Sequence, residues 1–127
     1  MPMLSHVSLG VSDLARATTF YDAVMAALGF QRVWTAEKGV GYGPSAAEEG
    51  LTLFRQTGPI RVPGPGFHLA LNAPDRRAVD RFHAAGLAHG GTDNGAPGLR
   101  LHYSPSYYAA FIIDADGHHL EAVHQTR

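Results

Sequence analysis

Two histidines and a glutamate stand where their chemistry can be combined. Segment 6–11 alternates His6, Ser8 and Gly10 with Val7, Leu9 and Val11, the period-two pattern of a half-buried strand. His68, Ala70 and Asn72 alternate in the same way with Leu69 and Leu71, and His119, Glu121 and Val123 with Leu120, Ala122 and His124. If the aliphatic faces pack against helices, the opposite faces turn His6, His68 and Glu121 toward a cavity. Two neutral imidazoles and a carboxylate suit one divalent ion (Zn²⁺, Mn²⁺, Fe²⁺, Ni²⁺ or Co²⁺) with positions left open for water or substrate. Ser8 and Ala70 are small enough to leave a ligand room beside them. A lone strand histidine is more often a surface or core residue, so the inference rests on the three occurring together.

Elements that would place these side chains recur along the chain. A shift of 62 residues carries His6 onto His68, Leu9 onto Leu71, Asp13 onto Asp75, Phe20 onto Phe82 and Gly29 onto Gly91. Each unit opens with a strand, then an Asp that can cap a helix, then a helical apolar stripe. The first stripe is Ala17, Phe20, Tyr21, Val24 and Leu28, closed by Gly29; the second runs over 75–88 with Val79, Phe82 and Leu87 inward. Strands are expected at 30–35, 39–43 and 51–55, then near Gly90, at 108–114 and at 119–124. Residues 95–98 (Gly-Ala-Pro-Gly) read as a loop, and Asp114-Ala115-Asp116-Gly117 as a hairpin turn. The order is βαβββ twice. This predicts an α+β fold of two modules, 1–57 and 67–127, joined by the Pro/Gly-rich linker 58–66, with His6 and His68 on neighbouring first strands.

Composition narrows the function. The chain has 127 residues, 45% of them hydrophobic and 17% charged, which is the profile of one globular domain rather than a disordered chain. It contains no cysteine, which excludes disulfides, thiolate metal sites and cysteine nucleophiles. Ten Lys+Arg against eleven Asp+Glu give no field that would gather nucleic acid or anionic membrane. No apolar run approaches a membrane span, and a cytoplasmic protein without nucleic-acid or membrane partners is expected.

Leu4-Ser5-His6-Val7-Ser8-Leu9-Gly10-Val11-Ser12-Asp13-Leu14, with Phe20-Tyr21 and Leu28-Gly29-Phe30, resembles the opening of the glyoxalase/bleomycin-resistance/dioxygenase group, the vicinal oxygen chelate superfamily. Phe111-Ile112-Ile113-Asp114-Ala115-Asp116-Gly117-His118-His119-Leu120-Glu121 is similar to its terminal hairpin, and Phe67-His68-Leu69-Ala70-Leu71 to the strand that opens its second module. The resemblance implies paired modules forming a curved mixed sheet around a concave site. It implies His6, His68 and Glu121 as ligands of one divalent metal, a small oxygen-rich substrate, and a homodimer, here expected to contain complete sites in each chain.

Departures from the family pattern bear on the reaction. Glyoxalase I enzymes add a carboxylate ligand on the last strand of the first module; here that place falls at about Leu53, with Gln56 the only other candidate. Extradiol dioxygenases carry a tyrosine where this chain has Phe111 and a proline where it has Ala115. Fosfomycin thiol-transferases use a lysine in the second module; the only lysine here is Lys38, so Arg100 would have to replace it. The expectation is a metal-dependent lyase, isomerase or thiol-transferase. A non-catalytic small-molecule sequestering protein is the alternative, and an extradiol-type dioxygenase a further one. Phase places Phe111 and Tyr107 on the cavity side, with Ser8, Ala70, Phe111 and Arg100 lining the substrate pocket. His102 is a candidate proton shuttle and Tyr107 a candidate oxyanion donor. His83, His89, His118 and His124 are not ligand candidates.

Overall fold

The computed structural model describes residues 2–126. The chain runs β1 (Val7–Val11), α1 (Leu14–Ala27), β2 (Gln31–Thr35), β3 (Gly39–Gly43), β4 (Leu51–Arg55), β5 (Leu69–Asn72), α2 (Arg76–Ala88), β6 (Thr92–Leu99), β7 (Tyr108–Ile113) and β8 (His119–His124). Both helices begin as the repeat predicts. Asp13 accepts the Arg16 N–H at 3.0 Å and Asp75 accepts the Ala78 N–H at 2.7 Å, so each carboxylate satisfies a backbone donor that the first turn leaves free. Among the described residues no helix is long and apolar enough to cross a membrane.

The strands form two four-stranded sheets with matching orders, β1-β4-β3-β2 and β5-β8-β7-β6. In each, the first strand of the unit pairs in parallel with the last: Ser8 lies opposite Thr52, and Ala70 opposite Glu121. Residues 58–66 form neither helix nor strand. One element departs from its expectation. The Gly-Ala-Pro-Gly stretch 95–98 is not a loop but part of β6, which pairs with β7 through register shifts between Asp93 and Gly95 and between Gly95 and Gly98. Pro97 has no N–H to give to a ladder, and Gly95 takes φ +151°; the shifts absorb both without ending the strand.

One hydrophobic cluster joins both units. Strands β3 and β4 pack on α1, β7 and β8 pack on α2, and the two helices pack on each other, with Val24, Met25 and Phe82 buried in the shared cluster. Burying each large apolar side chain contributes roughly 1.5–3 kcal/mol. Polar bonds tie the units at one end of the core. The buried Asp114 accepts the Tyr21 hydroxyl at 2.6 Å and the backbone N–H groups of Asp116 and His118. Ser12 donates to Asp116 at 2.6 Å, and the His118 Nε2–H donates to the Gly10 carbonyl at 2.7 Å. Because the helices and the helix-side faces share this core, the open faces of both sheets are turned away from it. β1 and β5 are therefore outer strands of separate sheets, which corrects the expectation that His6 and His68 stand on neighbouring strands of one chain.

Tyr21→Phe removes a buried charge-assisted hydrogen bond between the units and should destabilise the chain by about 1.5–3 kcal/mol in urea unfolding. Burial, then the Asp114 carboxylate, raises the Tyr21 phenol well above the ordinary 10.0; burial and the bond to Asp22 raise Tyr42. A raised phenol contributes stability that is complete below pH 10 and is lost as pH climbs toward the folded-state value. Absorbance titration near 295 nm should accordingly show the phenolate step around pH 10 unaltered in Tyr21→Phe and Tyr42→Phe.

Candidate functional site

Glu121 is the one acidic side chain of the second sheet that the fold buries on the open face, at 1% exposure. Its register neighbours are Phe111 on β7 and Ala70 on β5. One carboxylate oxygen, Oε1, lies 2.8 Å from His68 Nε2, and the other accepts the Tyr107 hydroxyl at 2.5 Å. A buried carboxylate needs such partners, since an unpaired one costs several kcal/mol. Tyr107 answers to the same contact: burial, then the bond to Glu121 and its charge, push the phenol well above its ordinary value. The His68 ring is about half exposed and meets the Phe111 ring edge-on at 6.0 Å between centroids. Phe111 in turn lies 5.4 Å beneath the Arg100 guanidinium.

The residues singled out by sequence are thus distributed unevenly. His68, Glu121, Phe111, Arg100 and Tyr107 occupy one face, with Ala70 opposite Glu121 and open to solvent. The Tyr107 hydroxyl is directed at the Glu121 carboxylate. His102 is exposed and stacks on Tyr103 at 4.1 Å, and Tyr103 meets Tyr107 at 4.9 Å, so two ring contacts and the Tyr107 hydrogen bond separate His102 from Glu121. Ser8 is exposed on β1 of the other sheet, and His6, exposed just before that strand, has its Nδ1 3.0 Å from Ser5 Oγ. Among the described residues no three His, Asp or Glu side chains converge as a metal cage. His6 directly precedes β1 as His68 directly precedes β5, and these two strands belong to separate sheets.

Register also corrects the place equivalent to Glu121 in the first unit. Ser8 corresponds to Ala70, and Ser8 faces Thr52, so that place is Thr52 rather than Leu53. Leu53 is fully buried on the helix side. Thr52 donates at 2.6 Å to Glu49, which also accepts the Trp34 indole N–H. Sequence reading misses Glu49 because it lies outside any strand and has no phase. The segment that carries it folds back across β3: a side chain at Gly43 would strike the Glu48 backbone. Gln56, the other candidate for this place, sits against Gly10 instead.

The sequence profile of the Glyoxalase/Bleomycin resistance protein/Dioxygenase superfamily matches residues 3–122. The chain belongs to this superfamily. Among solved structures it is similar to a glyoxalase/bleomycin resistance protein from Albidiferax ferrireducens T118, with 33% identity over 98% of this chain and 100% of that one and a TM-score of 0.85. It shares the fold of a glyoxalase I mutant from Zea mays, at 23% identity over 94% of this chain and 45% of that one, with a TM-score of 0.73. It also shares the fold of a mutant of the fosfomycin resistance protein FosX from Listeria monocytogenes, complexed with Mn(II) and 1S,2S-dihydroxypropylphosphonic acid. That match has 18% identity over 99% of this chain and 92% of that one, and a TM-score of 0.71. No curated protein matches the chain.

Tyr107→Phe should cost about 1.5–3 kcal/mol in urea unfolding, because it leaves a buried carboxylate short of a donor. In the Glu121→Gln background the same substitution should cost less, and the double-mutant cycle measures the difference.

Proposed function

We propose that this superfamily member is a metal-dependent enzyme in which His68 and Glu121 are two of three ligands and His6 of a second copy is the third. The observation that carries this reading is the buried Glu121 carboxylate, set 2.8 Å from the His68 ring on an open sheet face. The donor set fits a divalent ion of the Zn²⁺, Mn²⁺, Fe²⁺, Ni²⁺ or Co²⁺ group: one carboxylate, one half-exposed imidazole beside it, and a phenol orienting the carboxylate from behind. A bound ion would supply Lewis-acid polarisation of adjacent oxygens on a small substrate.

This chain's own residues account for the rest. Tyr107 fixes the orientation of Glu121. Ala70 keeps the face beside Glu121 clear, and Phe111 gives the substrate an apolar wall. His102 would move a proton at the rim rather than at the centre. The first unit brings His6, Ser8 and, beside Thr52, the Glu49 carboxylate, so a homodimer in which unlike units face each other assembles the site from both. Isomerase, lyase or thiol-transferase chemistry on an oxygen-rich small molecule follows in preference to ring cleavage, because Phe111 has no hydroxyl. A second reading, sequestration of an aromatic molecule, draws on the Trp34–Phe54 pair of the first sheet and on Phe111 of the second. Tight binding of an aromatic ligand to metal-free protein would favour it.

Calorimetric titration of metal-free protein with Zn²⁺ and Mn²⁺ should show one ion per chain. His68→Ala and Glu121→Gln should abolish it, and Tyr107→Phe should weaken it about 10–100-fold. Affinity should fall in acid, because a protonated imidazole cannot bind metal. His89→Ala, exposed at the C-terminal end of α2, should bind as the parent does. A wild-type chain that takes up no divalent ion overturns the reading.

A further inference from the structure

Arg100 lies across the open face of the second sheet in a channel that the sequence keeps clear. Its two terminal nitrogens donate to the Gly98 carbonyl at 2.9 Å and the Ala96 carbonyl at 2.8 Å. A Cβ at Gly95 would come within 3.2 Å of one nitrogen, and a Cβ at Gly98 within 3.3 Å of the other. Those two glycines pair with Phe111 and Ala109, both on the Glu121 side of β7, so the guanidinium rests on the same face as the candidate site. Its plane is further held by the Phe111 ring, whose other neighbour is His68.

Across that face the order is Arg100 over β6, Phe111 on β7, Glu121 on β8 and His68 beside β5. Strands repeat every 4.7–4.9 Å, which sets Arg100 roughly 10 Å from Glu121. A guanidinium has five N–H donors, and the backbone carbonyls engage only two of the nitrogens. Among the described residues no carboxylate forms an ion pair with Arg100. A half-buried, immobilised cation with donors to spare and no internal counter-ion is matched to an anion from outside, and its fixed fork suits carboxylate or phosphoryl oxygens.

We propose that Arg100 binds an anionic group of the substrate, so that the molecule turned over carries a carboxylate or phosphoryl group beyond the adjacent oxygens held at His68 and Glu121. The inference rests on the metal reading above. Phe111 acts as the spacer between the two ends, and the span selects substrates longer than a simple 2-hydroxy acid.

The test uses the Mn²⁺-loaded protein and three probes with the same 2-hydroxy acid head: lactate, which has no second anion, malate, which has a carboxylate, and 3-phosphoglycerate, which has a phosphate. Wild type should bind malate or 3-phosphoglycerate at least about tenfold tighter than lactate, and whichever of the two gains more identifies the anion. Arg100→Gln should erase the preference and leave lactate affinity unchanged, which also shows that the variant folds. Arg100→Lys should keep part of the preference. Equal affinities for all three probes in wild type, or a preference that survives in Arg100→Gln, overturn the proposal while leaving metal binding intact. Absence of Mn²⁺ uptake instead overturns the reading beneath it.

Discussion

The packing of α1 on α2 is the contact on which the remaining geometry depends. It lets two short units, neither with enough apolar surface for a core of its own, bury Val24, Met25 and Phe82 with the helix-side faces of both sheets in one cluster. The Tyr21–Asp114 and Ser12–Asp116 bonds and the His118–Gly10 bond fix the angle at which the units meet. The cost is that the polar strand faces bearing the chemistry belong to separate sheets. A chain folded in this way can place His68 beside Glu121, because both belong to one sheet, and cannot bring His6 to join them.

Burying Glu121 is the second constraint. A carboxylate at 1% exposure is stable only with dedicated partners, and here both oxygens have one, the His68 ring and the Tyr107 phenol. Neither partner is needed by the core. The Glu121 carboxylate is thus held by Tyr107 through one oxygen and faces the half-exposed His68 ring through the other. The first unit offers a looser counterpart, in which Thr52 and Trp34 hold Glu49.

Much of this is legible in residue order because strand phase and helix capping are local. Alternation alone assigns His68 and Glu121 to one open face and Leu120 and Ala122 to the core, and the repeated Asp marks both helix starts. The remaining features escape the sequence for different physical reasons. Period two fixes which face a residue occupies but not how two sheets dock, so the separation of His6 from His68 depends on helix packing that no local pattern encodes. The Gly-Ala-Pro-Gly stretch has the chemistry of a loop, and only pairing with β7 holds it in a strand. Glu49 approaches Thr52 through a folded-back segment with no periodicity to orient it. Phase assigns Tyr107 to its face, but the bond to Glu121 spans two strands and has no local signature.

The central claim is that one site needs two copies of the chain, and it is tested by mixing two defective variants. His6→Ala and Glu121→Gln are each unable to bind Zn²⁺ tightly on this account. Refolded together in equal amounts, half of the dimers are mixed, and each mixed dimer holds one intact site. Tight Zn²⁺ binding should then return to about one quarter of the wild-type capacity. No recovery on mixing, with each variant folded and dimeric, would contradict a site shared between copies.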